Sequence, residues 1–144
     1  MPEDAAADRL PFVDEPARTV SASPEATWQA AHDVMSRQLG DLGARYARLV
    51  GARHPTGFTI TVSDPPHRLV LCGEHRFSRY ALVFTTSPLA SGTTILRAQT
   101  CAAFPGIHGR AYRALVIDSR IHVLMVRRML RQIARRAERT RNCS

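Results

Sequence analysis

Apolar residues change their spacing twice along this chain, dividing it into a helical, an extended and a second helical stretch. Trp28, Ala31, Val34, Met35 and Leu39 recur at three- and four-residue intervals, the spacing that lines one face of an α-helix. Ser23 is a good N-cap, Pro24 suits the first helical position, Glu25 favours the positive helix end, and Gly40 stops the run. Asp41 then caps a second short helix through Leu42, Tyr46, Leu49 and Val50, ended by Gly51. Ahead of both helices, residues 12–20 read as a first extended segment, in which Pro16 marks an edge position or a bulge. The polar, alanine-rich residues 1–10 are expected to form a flexible lead-in.

From His54 the period drops to two. Phe58, Ile60 and Val62 alternate with threonines, and Asp64-Pro65-Pro66 makes a turn. Residues 68–73 and 80–86 are the next strands, the latter with Tyr80, Leu82 and Phe84 on one face. Loop chemistry at residues 87–92 precedes a longer strand over 93–103, and Phe104-Pro105-Gly106 breaks it. Everything after His108 reads as helical to about Arg139, with residues 107–118 open between a helix and an irregular lid. Hairpin-length connections exclude a parallel sheet, which needs crossover helices. The fold class is therefore α+β: a curved antiparallel sheet wrapped around a long C-terminal helix, with two short helices after the first strand. A single domain over residues 11–139 is expected, followed by a flexible tail at 140–144.

Two motifs carry a resemblance. Ser21-Ala22-Ser23-Pro24-Glu25-Ala26-Thr27-Trp28 resembles the "aspe-x-vW" opening of the first helix in the START-like (SRPBCC, Bet v 1-like) superfamily. Gly92-Thr93-Thr94-Ile95-Leu96-Arg97-Ala98 is similar to its "GGT-x-l-x" strand start, with Ser91 in place of the first glycine. The resemblance covers most of residues 12–138 and implies a helix-grip fold with a cavity between sheet and C-terminal helix. Members bind lipids, sterols, polyketides, quinones or hormones, and some, related to polyketide cyclase/dehydrases, act as aromatase/cyclases. The superfamily shares no catalytic triad, so the resemblance carries no catalytic residue onto this chain.

Charge changes the picture only when it is located. The net charge is +8, and all 20 basic residues are arginines. Residues 1–119 hold 12 arginines against 11 acids, so the excess belongs to the C-terminal segment, where eight arginines face one acid, Glu138. On a helical projection Val123, Val126, Met129, Leu130, Ile133, Ala134 and Ala137 occupy an arc of about 140°. Arg120, Arg127, Arg128, Arg131, Arg135 and Arg139 lie opposite, with Arg136 at the edge. That face is solvated, makes a weak contact with an anionic surface through Arg127, Arg128, Arg131 and Arg135, or clamps an acidic group of a ligand. Aromatic residues are 6% of the chain and none lies in the arginine run, which argues against a nucleic-acid platform.

Candidate chemistry is sparse. Cys72, Cys101 and Cys143 lack a CxxC, and the six histidines show no HxH or HExxH spacing, so neither a metal nor another cofactor is called for. The acidic start lacks the order of a signal peptide, and the expected location is the cytoplasm. The most polar stretch of the sheet, residues 73–80, is either a solvated hairpin or a cavity mouth where Glu74, Arg76 or Tyr80 orients an apolar ligand. Val70, Cys72 and Glu74 share one strand face, and Tyr80, Leu82 and Phe84 one face of the next. If both faces point inward, a carboxylate and a phenol meet at one end of the cavity. His122 falls on the apolar arc of the terminal helix. With Trp28, Phe84 and Met129 as wall, these residues form the candidate ligand-binding set. The leading function is a binding or carrier protein for a hydrophobic small molecule, lipid, polyketide or quinone-like. The alternatives are a cyclase/dehydratase-type enzyme on the same scaffold, or a module that docks on an anionic surface.

Overall fold

The computed structural model describes residues 7, 9–38, 58–75 and 78–143. The expected helix at residues 41–50 and the candidate Arg76 lie outside the described residues. The elements are β1 (Phe12–Asp14), β2 (Ala17–Val20), α1 (Pro24–Gln38), β3 (Thr59–Asp64), β4 (Arg68–His75), β5 (Ser78–Pro88), β6 (Thr94–Ala103), α2 (Gly106–Arg113) and α3 (Ile121–Asn142). The α+β assignment holds: one six-stranded sheet runs in the order β1-β6-β5-β4-β3, with β2 also on β6, and every pairing is antiparallel.

Local chemistry places the ends of these elements. The Ser23 hydroxyl accepts the Ala26 N–H at 3.2 Å, the N-cap bond that frees α1 from an orphan donor. Pro16 interrupts β1 and β2 because it has no N–H to donate, yet its carbonyl still accepts the Ala98 N–H at 3.0 Å. The β5–β6 connection turns through Ser91 and Gly92, both at positive φ. Pro105 is extended and Gly106 sits at φ 72°, a conformation glycine adopts without strain, and α2 starts there.

Alternation sorts the sheet into two faces. Leu69, Leu71, Leu82, Phe84, Leu96 and Ala98 point to the helices and join Trp28, Ala31 and Met35 of α1 and Val126, Leu130, Ile133 and Ala134 of α3 in one core. Val70, Ala81 and Val83 point the other way, and there Ala7 and Leu10 pack over them. That end of the lead-in, expected to be frayed, covers apolar sheet surface that would otherwise face water.

The projected arc of α3 matches its buried side, with Val126, Leu130, Ile133, Ala134 and Ala137 all buried. The helical stretch after residue 106 is not continuous, however. A π-helical turn over Ala114–Asp118 follows α2, and Arg120 adopts a left-handed conformation (φ 63°) before α3 begins. The break lies among residues whose side chains do not forbid a helix, so spacing alone runs straight through it. At its far end α3 continues to Asn142, through part of the segment expected to be a flexible tail.

Candidate functional site

The core fills one end of the space between sheet and helices. There Phe84 pairs with Leu69 on one side and Ala98 on the other, all three buried. Trp28 closes this end: its indole N–H donates to the Arg68 carbonyl at 3.0 Å, and its ring stacks on His32 at 5.4 Å. Trp28 and Phe84, both proposed as ligand wall, are therefore parts of the packed core.

Toward the other end, inward-pointing side chains stay only half-buried. Tyr80 stands between Gly73 of β4 and Ala102 of β6, two positions that put little or no side chain beside it. Its ring meets Phe58 edge-on at 4.6 Å. Tyr80, Phe58, Ile60, Val123 and Met129 are all partly accessible, although they lie on the sheet and helix faces that oppose each other. Of these, Phe58, Ile60 and Met129 pack against the edge of the core while water still reaches them.

Glu74 is not among them. Strict antiparallel register pairs Glu74 with Arg79 and Gly73 with Tyr80, so Glu74 takes the outer face and Tyr80 the inner one. The Glu74 carboxylate pairs there with the Arg79 guanidinium at 3.6 Å. The expected meeting of carboxylate and phenol fails, because neighbouring positions on paired strands cannot share a face when their registers differ by one.

A different carboxylate reaches the inner face. Between Phe12 and Asp14 the β1 register slips, so that Phe12 opposes Cys101 while Asp14 opposes Thr100. A bulge of this kind re-aims a side chain that plain alternation would send to the other face. Asp14 Oδ1 lies 3.3 Å and Thr100 Oγ1 3.1 Å from His122 Nε2, at the start of α3. The cluster is mostly covered: the His122 side chain is 16% exposed and that of Asp14 24%. An ionised carboxylate only accepts, so a hydrogen bond from Nε2 to Asp14 requires the proton on Nε2, and in that tautomer Nδ1 is an acceptor. Thr100 also pairs with Leu82, and Ala102 with Tyr80, so the histidine cluster and the phenol stand on adjoining positions of the same face.

Asp14 and Thr100 were not singled out from the sequence. The signal for Asp14, an acid directly before Glu15-Pro16 in an interrupted strand, points to a bulge but not to its partner 108 residues away. Among the described residues no group of three or more histidines, cysteines, aspartates or glutamates is placed to hold a metal ion. No helix of the described residues is long and apolar enough to cross a membrane.

Neither a family model nor a curated protein sequence matches the chain. Solved structures do. A norcoclaurine synthase point mutant of Thalictrum flavum, in complex with a transition state analogue, superposes with a TM-score of 0.58 at 10% identity, over 92% of this chain and 99% of that one. The di-domain ARO/CYC StfQ from the steffimycin biosynthetic pathway gives 0.55 at 14% identity, over 97% of this chain and 55% of that one. A conserved protein from Geobacillus kaustophilus gives 0.55 at 14% identity, over 88% and 95%. At these identities the likeness concerns the fold, and it agrees with the sequence motifs: this chain has the START-like, Bet v 1-like (SRPBCC) helix-grip fold.

Proposed function

We propose that the chain binds a mostly apolar small molecule, carrying one polar group, between the inner sheet face and the first half of α3. The observation that carries this reading is the pairing of a half-open apolar wall with two convergent polar groups, Tyr80 and the Asp14-held His122. Ligand sites on proteins are commonly built this way, with apolar lining for affinity and a few fixed polar groups for orientation. Phe58, Ile60, Val123 and Met129 supply the wall, and lipid, polyketide or quinone-like molecules fit its chemistry. A structurally similar synthase held in complex with a transition state analogue supports a ligand site on this fold.

The test is a thermal-shift screen of the purified protein against fatty acids, sterols, quinones and aromatic polyketides. A ligand at 100 times its Kd adds about 2.7 kcal/mol of stability, which moves Tm by roughly 2–4 °C per kcal/mol in a domain near this size. A saturable shift with one class, weakened in Tyr80→Phe and His122→Ala, is the expected result. A flat response across the panel removes the reading.

A second reading, an acid–base enzyme of the cyclase/dehydratase type, draws on the contact of His122 Nε2 with Asp14. With Nε2–H directed to Asp14, Nδ1 is an acceptor able to take a proton from a bound substrate. On this reading His122→Ala keeps ligand binding but abolishes turnover, and retained turnover excludes it.

A further inference from the structure

The first turns of α3 show water what a core helix normally hides. Ile121, Leu124 and Met125 are 49%, 64% and 51% exposed. Their spacing puts them on one stripe of the helix, opposite the buried Val126–Leu130–Ile133 side. Leu115, in the π-helical turn just before, is 66% exposed. Exposed apolar residues scattered singly need no account, but a contiguous stripe marks an interaction surface.

The same stripe becomes basic as it continues. Arg128 follows one turn after Leu124, and Arg131, Arg135 and Arg139 extend the exposed side beyond it. Arg110, Arg113, Arg120 and Arg127, before and after the apolar residues in the sequence, are also exposed. Asp118 is the single acid between residues 75 and 137. At 1.5 Å of rise per residue, Arg128 stands about 5 Å along the axis from the Leu124–Met125 level.

From this arrangement we infer that the α3 start is a docking surface for an anionic lipid bilayer. Ile121, Leu124 and Met125 enter the interface while Arg127, Arg128 and Arg131 hold the lipid phosphates. Charge complementarity selects this occupant: a protein groove accepts an apolar stripe without demanding the exposed arginines that continue it along α3, whereas an anionic leaflet rewards each arginine. The inference goes beyond small-molecule binding and does not depend on it, since the surface lies on the outer side of the helix.

The experiment is flotation of the full chain with vesicles of phosphatidylcholine alone or of an equimolar mixture with phosphatidylglycerol. Binding to the mixed vesicles, falling as salt is raised and absent on phosphatidylcholine, is expected. Leu124→Asp/Met125→Asp should lower partitioning more than tenfold while circular dichroism and Tm stay at wild-type values. Arg127→Gln/Arg128→Gln should lower it about 30-fold, which corresponds to about 1 kcal/mol for each charge near an anionic surface. No binding to the mixed vesicles overturns the inference, as does binding indifferent to the aspartate pair. A concentration-dependent dimer in sedimentation, dissolved by Leu124→Asp/Met125→Asp, also overturns it and assigns the stripe to a second copy of the chain.

Discussion

Asp33 on α1 accepts two hydrogen bonds from Arg136 on α3, from Nε at 3.1 Å and from Nη2 at 2.7 Å, both at Oδ2. The pair clamps the two helices on their rim, outside the apolar contact of Met35 with the α3 core residues. The Arg136 hydrogen bond, helped by Gln29, holds the Asp33 carboxyl below its ordinary range. A lowered folded-state pKa means that the charged form is favoured on folding. The stabilisation is therefore present above the unfolded carboxyl pKa and disappears as pH falls through the lower folded value. Asp33→Asn should cost about 0.5–1 kcal/mol at neutral pH, given the partial exposure of the pair. The gap in Tm between the two proteins should close as the solution is acidified; a gap independent of pH would assign the loss to packing.

Two buried threonines should respond to valine with opposite sign. Thr94 donates through Oγ1 to the Ala22 carbonyl at 2.7 Å, tying the start of β6 to the chain leading into α1. Thr94→Val leaves that carbonyl unpaired inside the protein and should cost about 1–3 kcal/mol. Thr27 Oγ1, on α1, is buried with no hydrogen-bond partner among the described residues. Thr27→Val replaces a desolvated hydroxyl with a methyl of similar size and should raise stability by about 1 kcal/mol. Denaturant melts of both variants decide the matter, and a loss of stability in Thr27→Val refutes the assignment of an idle hydroxyl.

The packed and the open ends of the inner face should separate under mutation. Phe84, 1% exposed, fills the closed end. Its replacement by alanine leaves a cavity among Leu69, Ala98 and their neighbours, and costs about 3–5 kcal/mol. Tyr80→Phe removes only a hydroxyl at the half-open end, so stability should change by less than about 1 kcal/mol while ligand-dependent stabilisation falls. Urea titrations with and without a screening hit measure both quantities. A Tyr80→Phe protein that binds as tightly as wild type places the phenol outside the site.

His122 and Asp14 should act as a unit. Asp14→Asn keeps the size of the side chain but offers an amide that both donates and accepts, so an acceptor-only carboxylate no longer selects the Nε2–H tautomer. If Asp14 works by orienting the imidazole, Asp14→Asn and His122→Ala weaken binding of the same ligands, and the double variant is no worse than His122→Ala alone. Additive losses would show two independent contacts. Thr100→Val, which removes the shorter partner at 3.1 Å, gives the control for Nε2 contacts that carry no charge.

Periodicity alone was enough for the strands, the first helix and the buried arc of α3, because the 3.6- and 2-residue repeats follow from backbone geometry and the need to bury apolar surface. The motif at Ser23-Pro24-Glu25 likewise foretold where α1 starts, since capping is a contact between near neighbours. What alternation does not contain is which strand face turns inward. Residues 70, 72 and 74 alternate as cleanly as 80, 82 and 84, and only the β4–β5 register, with Gly73 opposite Tyr80, put Glu74 on the outside. The His122 cluster lies further still from local information. It needs a bulge in β1 to turn Asp14, a strand 86 residues later to supply Thr100, and a left-handed Arg120 to start α3 where it does. Each step is settled by packing between distant segments, and so the composition of the candidate site belongs to the tertiary structure while its scaffold belongs to the sequence.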